Sequence, residues 1–162
     1  MINYVKGLVL FLALSSFTAN AEHQIGGGFY NLSDGDISIT GVSGVYSNQV
    51  NDNFAYDIAV SLGGSDDFED VAFEVDYGLA AKLKAGVTSN NLFFYASAGY
   101  ATFNLEGKAG GFTAEADGNG ALLGIGVDIS TSEKVLLNLD YSRGFGDFED
   151  SNLFLGTIKY KF

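Results

Sequence analysis

Residues 54–62 have the sequence Phe-Ala-Tyr-Asp-Ile-Ala-Val-Ser-Leu, and the residue pattern in this segment indicates the fold. Large apolar side chains alternate along it with small or charged ones, with a period of two residues. A β-strand sends successive side chains to opposite faces, whereas a helix would mix the two sets. The stretch therefore predicts a strand with one apolar face and one small, charged face.

The same alternation recurs along the chain. It is clearest in 71–85, where Val71, Phe73, Val75, Tyr77, Leu79 and Leu83 oppose Glu74, Asp76, Gly78, Lys82 and Lys84. Turn-forming clusters rich in Gly, Asn, Asp and Ser separate the alternating segments. We predict eight strands, at residues 24–32, 36–46, 54–62, 71–85, 92–105, 121–129, 135–141 and 154–162.

Composition limits the class of protein. The chain has 162 residues, 8 basic against 20 acidic side chains, a net charge of −12 and a hydrophobic content of 47%. This length suits one domain, and the hydrophobic content is too high for a disordered chain. A nucleic-acid site needs clustered Lys and Arg, so we expect no nucleic-acid partner. Because cysteine is absent, disulfides, zinc–thiolate sites and thiol nucleophiles are excluded.

The first 21 residues resemble an export signal. Met1–Lys6 carries one basic side chain, Gly7–Leu14 is apolar, and Ala19-Asn20-Ala21 offers small residues for cleavage. The apolar run is shorter than the roughly 20 residues that a membrane-spanning helix needs. We therefore predict a signal peptide over 1–21 and a mature barrel domain over 22–162.

Eight strands with one apolar face allow two architectures: a soluble barrel with that face inside, or a membrane barrel with it outside. The apolar faces have the length of tilted membrane strands, and the opposite faces are rich in Gly, Ala and Ser, as a narrow interior requires. These features favour an all-β, eight-stranded antiparallel up-and-down transmembrane barrel. Its interior would hold a charge network of Asp57, Glu74, Asp76, Lys82, Lys84, Asp128, Asp140, Lys159 and Lys161.

The connections alternate in length and charge. With the N-terminus in the periplasm, residues 47–52, 88–91 and 130–133 become short periplasmic turns. The brief 33–35 and the acidic 63–70, 106–118 and 144–151 become outer loops. This partition is typical of bacterial outer-membrane barrels, in which only closure satisfies every backbone polar group.

The last eight residues, Leu-Gly-Thr-Ile-Lys-Tyr-Lys-Phe, strengthen that interpretation. With its alternating segments, the chain resembles the small outer-membrane β-barrel family, the OmpA-transmembrane-domain and OmpX/Ail-like eight-stranded proteins. The resemblance implies that Ile158, Tyr160 and Phe162 form an assembly signal read by the outer-membrane insertion machinery. It also implies a monomer that contacts outer-membrane lipid and lipopolysaccharide.

The residues give little support to catalysis. The only histidine, His23, would precede the first strand on the periplasmic side, far from an outer-leaflet substrate. The glycine-rich segments lack the spacing of a phosphate loop, so we expect no cofactor. The tetrapeptide Asp-Phe-Glu-Asp occurs twice in predicted outer loops, and it offers candidate ligands for a divalent cation: Asp67, Glu69, Asp70, Asp147, Glu149 and Asp150.

The sequence therefore predicts a non-enzymatic outer-membrane barrel with an envelope-structural or surface-interaction role. Two alternatives stay open: a soluble periplasmic lipocalin-like barrel that binds an apolar ligand, and an outer-leaflet lipid A-modifying enzyme.

Overall fold

The computed structural model describes residues 22–68, 71–109 and 112–162, and the predicted signal peptide lies outside them. Its described residues are mostly strand. The strands are β1 Glu22–Asp34, β2 Ile37–Asn51, β3 Phe54–Leu62, β4 Ser65–Phe68, β5 Val71–Ser89, β6 Leu92–Ala109, β7 Phe112–Ser130, β8 Val135–Gly144 and β9 Ser151–Lys161. A short 3-10 helix, Gly146–Phe148, precedes β9.

The strands form a closed antiparallel barrel in which barrel strands that are neighbours in the sheet are consecutive along the chain. β3 and β4 are successive parts of one barrel strand, since both pair with β5. The break between them lies at Gly63 and Gly64, whose φ angles of 65° and 102° suit glycine. Pairing of β1 with β9 closes the sheet, which gives the eight-stranded up-and-down barrel that the sequence predicts.

The barrel carries its apolar side chains on the outside. Leu83, Ile125 and Ile158 are 62%, 67% and 59% exposed, whereas their strand neighbours Lys82 and Lys159 are 4% and 0% exposed. An apolar surface of this extent is stable only when another apolar phase covers it. The soluble-barrel alternative, which requires this face to point inward, is therefore wrong.

The two ends of the barrel differ. The first and last described residues, Glu22 and Phe162, and the tight connections at 52–53, 90–91 and 131–134 lie at one end, called here the terminal end. The opposite end, called the loop end, carries the connection 35–36, strand β4, the ends of β6 and β7 at Ala109 and Phe112, and the segment 145–150. The strands extend further than predicted: β2 continues through the predicted turn to Asn51, and most of the predicted loop 106–118 belongs to β6 and β7.

The interior is packed in two zones. Polar and charged side chains fill the half nearer the terminal end. The half nearer the loop end holds a cluster that we call the apolar plug, formed by Tyr30, Leu32, Ile39, Val45, Ala59, Val75, Ala80, Ala101, Phe103, Leu122, Phe148, Leu153 and Leu155. Among the described residues, no helix is long and apolar enough to cross a membrane.

Candidate functional site

Four buried charges of the described chain form one cluster in the barrel interior. Lys84 Nζ lies 2.6 Å from Asp57 Oδ2 and 3.5 Å from Asp128 Oδ2. Lys159 Nζ lies 3.3 Å from Asp57 Oδ2 and 3.6 Å from Asp128 Oδ1. Each lysine therefore contacts both carboxylates. Such mutual pairing offsets part of the cost of removing four charges from water.

A second ion pair lies nearer the apolar plug. Lys82 Nζ forms a salt bridge with Asp140 and also donates to Ser142 Oγ at 2.7 Å. The Tyr95 hydroxyl donates to Asp140 Oδ2 at 3.1 Å and accepts from Asn138 Nδ2 at 2.7 Å. Asn138 in turn donates to Asp128 Oδ1 at 2.6 Å, so hydrogen bonds link the two ion clusters.

Two glycines make room for this network. A Cβ at Gly126 would lie 2.4 Å from the Tyr95 hydroxyl, and one at Gly99 would lie 2.8 Å from Lys82 Cγ. Both distances are shorter than van der Waals contact, so a larger residue would displace the polar side chain above it. These two glycines therefore leave space for the Tyr95 ring and the Lys82 stem, and Gly126 belongs to a segment that was predicted to give a small lumenal surface.

Six of the nine predicted network residues meet in the interior: Asp57, Lys82, Lys84, Asp128, Asp140 and Lys159. Their formal charges, three positive and three negative, cancel. The network crosses the barrel, and the apolar plug lies beyond it on the loop side. Chemically, this arrangement can hold the wall together and obstruct passage of ions.

Glu74 and Asp76 do not join the network, so this part of the prediction is wrong. A β-bulge between Val75 and Tyr77 shifts the register against β6 and reverses which residues face inward. Val75, expected on the apolar exterior, is fully buried in the plug, whereas Asp76 is exposed. The alternation is regular on both sides of the bulge, which is why the sequence does not show the reversal.

Glu74 instead belongs to a surface ion cluster at the loop end. Lys108 Nζ lies 2.9 Å from Glu74 Oε2 and 3.3 Å from Glu106 Oε1. The hydrogen bonds that Lys108 donates to these two carboxylates, with Glu74 the larger contribution, raise the pKa of Lys108. Lys108 therefore stays charged at neutral pH and separates two acidic side chains that lie opposite each other on β5 and β6.

The remaining predicted network residue, Lys161, lies at the rim of the terminal end. Its Nζ is 2.9 Å from Glu22 Oε2. Nearby, His23 is the second residue of β1 rather than a residue before the strand, which corrects that prediction. Its Nδ1 lies 2.8 Å from the Tyr46 hydroxyl, and its ring stacks on Phe162 at a centroid distance of 6.1 Å. This position leaves His23 at the opposite end from the loops.

The predicted assembly signal faces outward. Ile158, Tyr160 and Phe162 are 59%, 46% and 69% exposed on the same face of β9. The Phe162 amide donates to the His23 carbonyl at 3.0 Å, so the last residue is tied to the first strand. The three apolar side chains are therefore accessible from outside the barrel.

The two acidic tetrapeptides have separate surroundings. Asp67 is exposed on β4, and Glu69 and Asp70 lie outside the described residues. In the second tetrapeptide, Asp147 accepts from the backbone and side-chain nitrogens of Asn119 at 3.1 and 3.0 Å, and Asp150 pairs with Arg143 at 2.8 Å. Glu149 follows the 3-10 helix. No group of three or more metal-ligating side chains occurs within the described ranges.

One feature that the sequence analysis missed is a sheet that extends beyond the barrel wall at the loop end. It consists of β4, residues 71–76 of β5, 104–109 of β6 and 112–121 of β7, and we call it the projecting sheet. β8 first pairs with β7 at Leu122, so in the described chain residues 112–121 have a strand partner on one side only. Gly-Gly at 110–111, a frequent hairpin turn, was the available signal.

The free edge of the projecting sheet has a defined set of backbone groups. The Ala121 carbonyl accepts from Phe145 N, and Asn119 N donates to Asp147, so odd-numbered residues point away from β6. By this alternation the N–H and C=O groups of Thr113, Glu115 and Asp117 point to the open side. Phe112, at the start of the edge, is 83% exposed.

Solved structures with the same architecture are outer-membrane proteins. Ail of Yersinia pestis superposes with a TM-score of 0.58 at 14% identity, covering 88% of this chain and 97% of Ail. The chain has the fold of the small eight-stranded outer-membrane barrels. The chain is also similar to neisserial surface protein A, with a TM-score of 0.60, 14% identity and coverages of 87% and 95%.

The barrel's similarity to OprG of Pseudomonas aeruginosa is comparable, with a TM-score of 0.60, 13% identity and coverages of 88% and 96%. At these identities the likeness concerns the fold. No protein-family model and no curated protein sequence matches the chain. The comparisons therefore give the fold of the barrel and not its role.

Proposed function

We propose that this protein is a non-enzymatic barrel of the bacterial outer membrane that binds an extended protein segment at its projecting sheet. The open edge of β7 at Thr113, Glu115 and Asp117 carries the proposal. An exposed edge strand offers unpaired backbone groups to which a partner strand can add.

The outward apolar band supports the membrane location. β3 spans nine residues, close to the roughly 9–11 that a tilted strand needs to cross the hydrocarbon. The sequence features of a signal peptide support export, and the alternation of tight turns and larger connections supports a periplasmic location of the terminal end. The loop end, with the projecting sheet, then faces outside the cell.

The interior favours a surface role over transport. The balanced ion network and the apolar plug occupy successive levels of the same barrel. An eight-stranded barrel is narrow enough for side chains to fill. The surface beyond the membrane therefore offers more for a large partner than the interior does.

Acidic side chains define the chemistry of the partner. Glu115 and Asp117 lie on the open edge, and Glu106 lies opposite Glu115 on β6. An added strand carrying Lys or Arg would place opposite charges across the new pairing, which is favourable, whereas an acidic strand would be repelled. The partner segment is thus extended and basic.

A direct experiment combines a peptide with hydrogen exchange. The barrel in lipid nanodiscs is titrated with an alternating Lys-Thr octapeptide, and protection of individual amides is measured. We expect the amides of Thr113, Glu115 and Asp117 to gain protection, while those of Ala114 and Ala116, already directed toward β6, change little. Equal gains at both sets, or none at either, would contradict strand addition.

Two variants separate backbone pairing from charge. Glu115→Pro removes one outward N–H without touching the ladder to β6, and should weaken peptide binding about tenfold. Glu115→Gln keeps the N–H and should weaken it only a few-fold. If both variants weaken binding equally, the attraction is electrostatic and the edge is not used.

The position of the only histidine does not support the lipid A-modifying alternative. The single histidine is bound to Tyr46 at the terminal end, on the periplasmic side in this orientation. A nucleophile at the outer leaflet would need a base at the loop end. Identical lipid A mass profiles with and without the gene are the expected result, and a missing acyl or phosphate group would overturn it.

A further inference from the structure

A cavity of about 370 Å³ opens at the loop end of the barrel, within the ring of connections. Its floor is the outer surface of the apolar plug, where Leu32, Ile39 and Phe148 meet the partly buried Phe73 and Leu105. This volume lies in the range of small-molecule sites, which are mostly apolar with a few placed polar groups. We call this cavity the mouth cup.

The polar groups of the mouth cup are acidic. Asp34, Asp117 and Asp147 line it, together with Ser151. Asp34 Oδ2 accepts from Ser151 Oγ at 3.2 Å, Asp117 Oδ1 from Asn104 at 2.8 Å, and Asp147 Oδ2 from Asn119. All these donors are neutral, so the hydrogen bonds fix the carboxylates without cancelling their charge.

The nearby basic side chains are engaged elsewhere. Lys108 is paired with Glu74 and Glu106, and Arg143 is paired with Asp150. In the described part of the chain, no salt bridge reaches Asp34, Asp117 or Asp147. The mouth cup therefore combines an apolar floor with a rim of uncompensated negative charge.

Asp34 is the rim carboxylate best placed to meet a ligand. It follows Tyr30 and Leu32 at intervals of two residues along β1, and both of these side chains are buried in the plug. The alternation of the strand therefore directs Asp34 to the inside, above Leu32. Its partner Ser151 is likewise an inward, buried residue.

We propose that the mouth cup binds a small amphipathic cation, with an alkyl or aryl group on Leu32, Ile39 and Phe148 and an ammonium group at Asp34. Burial of the apolar group supplies most of the affinity. The carboxylates select the sign of the head group, since they repel an anion of the same size. The site uses the plug side chains and Asp34, whereas strand addition uses the outward backbone groups of β7; Asp117 is the residue that both share.

The test uses three probes of similar size and different charge: phenylethylammonium, 2-phenylethanol and 3-phenylpropanoate. Each is titrated into the barrel in lipid nanodiscs, and the backbone amide signals of Leu32, Ile39 and Phe148 are followed by NMR. We expect saturable shifts that place the ammonium about threefold to fivefold tighter than the alcohol, with none for the carboxylate. Empty nanodiscs correct for partition of the probes into lipid.

Variants distinguish the cup from the rest of the surface. Ala116 lines the cup, and Ala116→Phe should fill it and abolish the saturable shifts. Ala114→Phe, on the same face of β7 but outside the cup, is the matched control and should retain them. Asp34→Asn should reduce the affinity of the ammonium to that of the alcohol while leaving the alcohol unchanged.

Several results would overturn the proposal. Absence of saturable shifts with all three probes, or their persistence in Ala116→Phe, means that the cup binds no such ligand. Equal binding of the ammonium and the alcohol means an apolar site without charge selection. Loss of binding in Ala114→Phe as well points to a change of the projecting sheet rather than to occupation of the cup.

Discussion

Lys159 on β9 lies 3.3 Å from Asp57 on β3, across the barrel interior, although β1 and β2 separate these strands in the sheet. The contact joins residues 102 positions apart in the sequence. Together with Lys84 and Asp128, this contact links strands on different sides of the barrel interior by ion pairs.

Removal of one charged residue from this cluster should lower the stability of the barrel. Lys159→Met leaves two buried carboxylates with one lysine, and we expect the free energy of unfolding to fall by about 3–5 kcal/mol. The double variant Lys159→Met with Asp57→Asn restores charge balance and should recover part of that loss. Urea unfolding in lipid vesicles measures both. A loss below about 1 kcal/mol in the single variant would show that the network is not energetically coupled.

The protein should conduct ions poorly. The ion network and the apolar plug each obstruct the interior, so a single opening in the plug does not create a path. We expect no large, stable conductance in planar bilayers from the protein or from Phe148→Ala, with a porin as positive control. A stable single-channel current in the unmodified protein would contradict this packing.

The bulge at Asp76 gives a site-directed test of the corrected facing. Because the chain has no cysteine, single cysteines can be spin-labelled at Val75 and at Leu79 without background. The label at Leu79, which is 45% exposed, should respond to lipid-dissolved oxygen, and the label at Val75, which is 0% exposed, should not. Matching responses from both positions would mean that the alternation continues unbroken and the bulge is absent.

Gly126 should tolerate no larger side chain. Gly126→Val pushes the Tyr95 hydroxyl away from Asn138 and Asp140, and should lower the free energy of unfolding by about 1–3 kcal/mol. Gly44→Val is the matched control, since a Cβ at Gly44 meets nothing within 4 Å. Comparable unfolding midpoints for the two variants would argue against a role of Gly126 in positioning Tyr95.

The charge of Lys108 should hold the projecting sheet together. Glu74, Glu106 and Glu115 lie side by side on β5, β6 and β7, and Lys108 contacts the first two. Lys108→Glu should therefore speed amide exchange in residues 104–109, whereas Lys108→Arg should not. Because the pKa of Lys108 is raised, its stabilising effect persists through neutral pH and disappears only as the pH rises above its ordinary pKa of 10.5. Unchanged amide exchange in Lys108→Glu would show that this ion cluster does not stabilise the projecting sheet.

Much of the architecture followed from local alternation. Phe54–Leu62 was predicted to the residue, because apolar and small or charged side chains alternate along the whole of β3, although Tyr56, on the apolar face, is only 6% exposed. Contiguous Phe93, Phe94 and Tyr95 left the facing of β6 open, and the structure places Phe94 outside and the other two inside. A contiguous aromatic run has no contrast between faces, so only cross-strand packing decides it.

The candidate site was less predictable. The buried charges, such as Lys84 and Asp128, could be assigned to the interior because apolar and small or charged residues alternate regularly around them in the sequence. Glu74 and Val75 could not, since one extra residue at the bulge reverses every position before it. The mouth cup joins residues of β1, β2, β5, β6, β7, the 3-10 helix and β9, and such a cavity depends on the closed three-dimensional arrangement rather than on any one segment.

The seam between β1 and β9 has a consequence for biogenesis. The two strands that close the barrel, Glu22–Asp34 and Ser151–Lys161, are the first and last strands of the described chain, so the edge of β1 stays unpaired until β9 docks on it. A barrel without β9 would expose a row of unpaired backbone amides along β1.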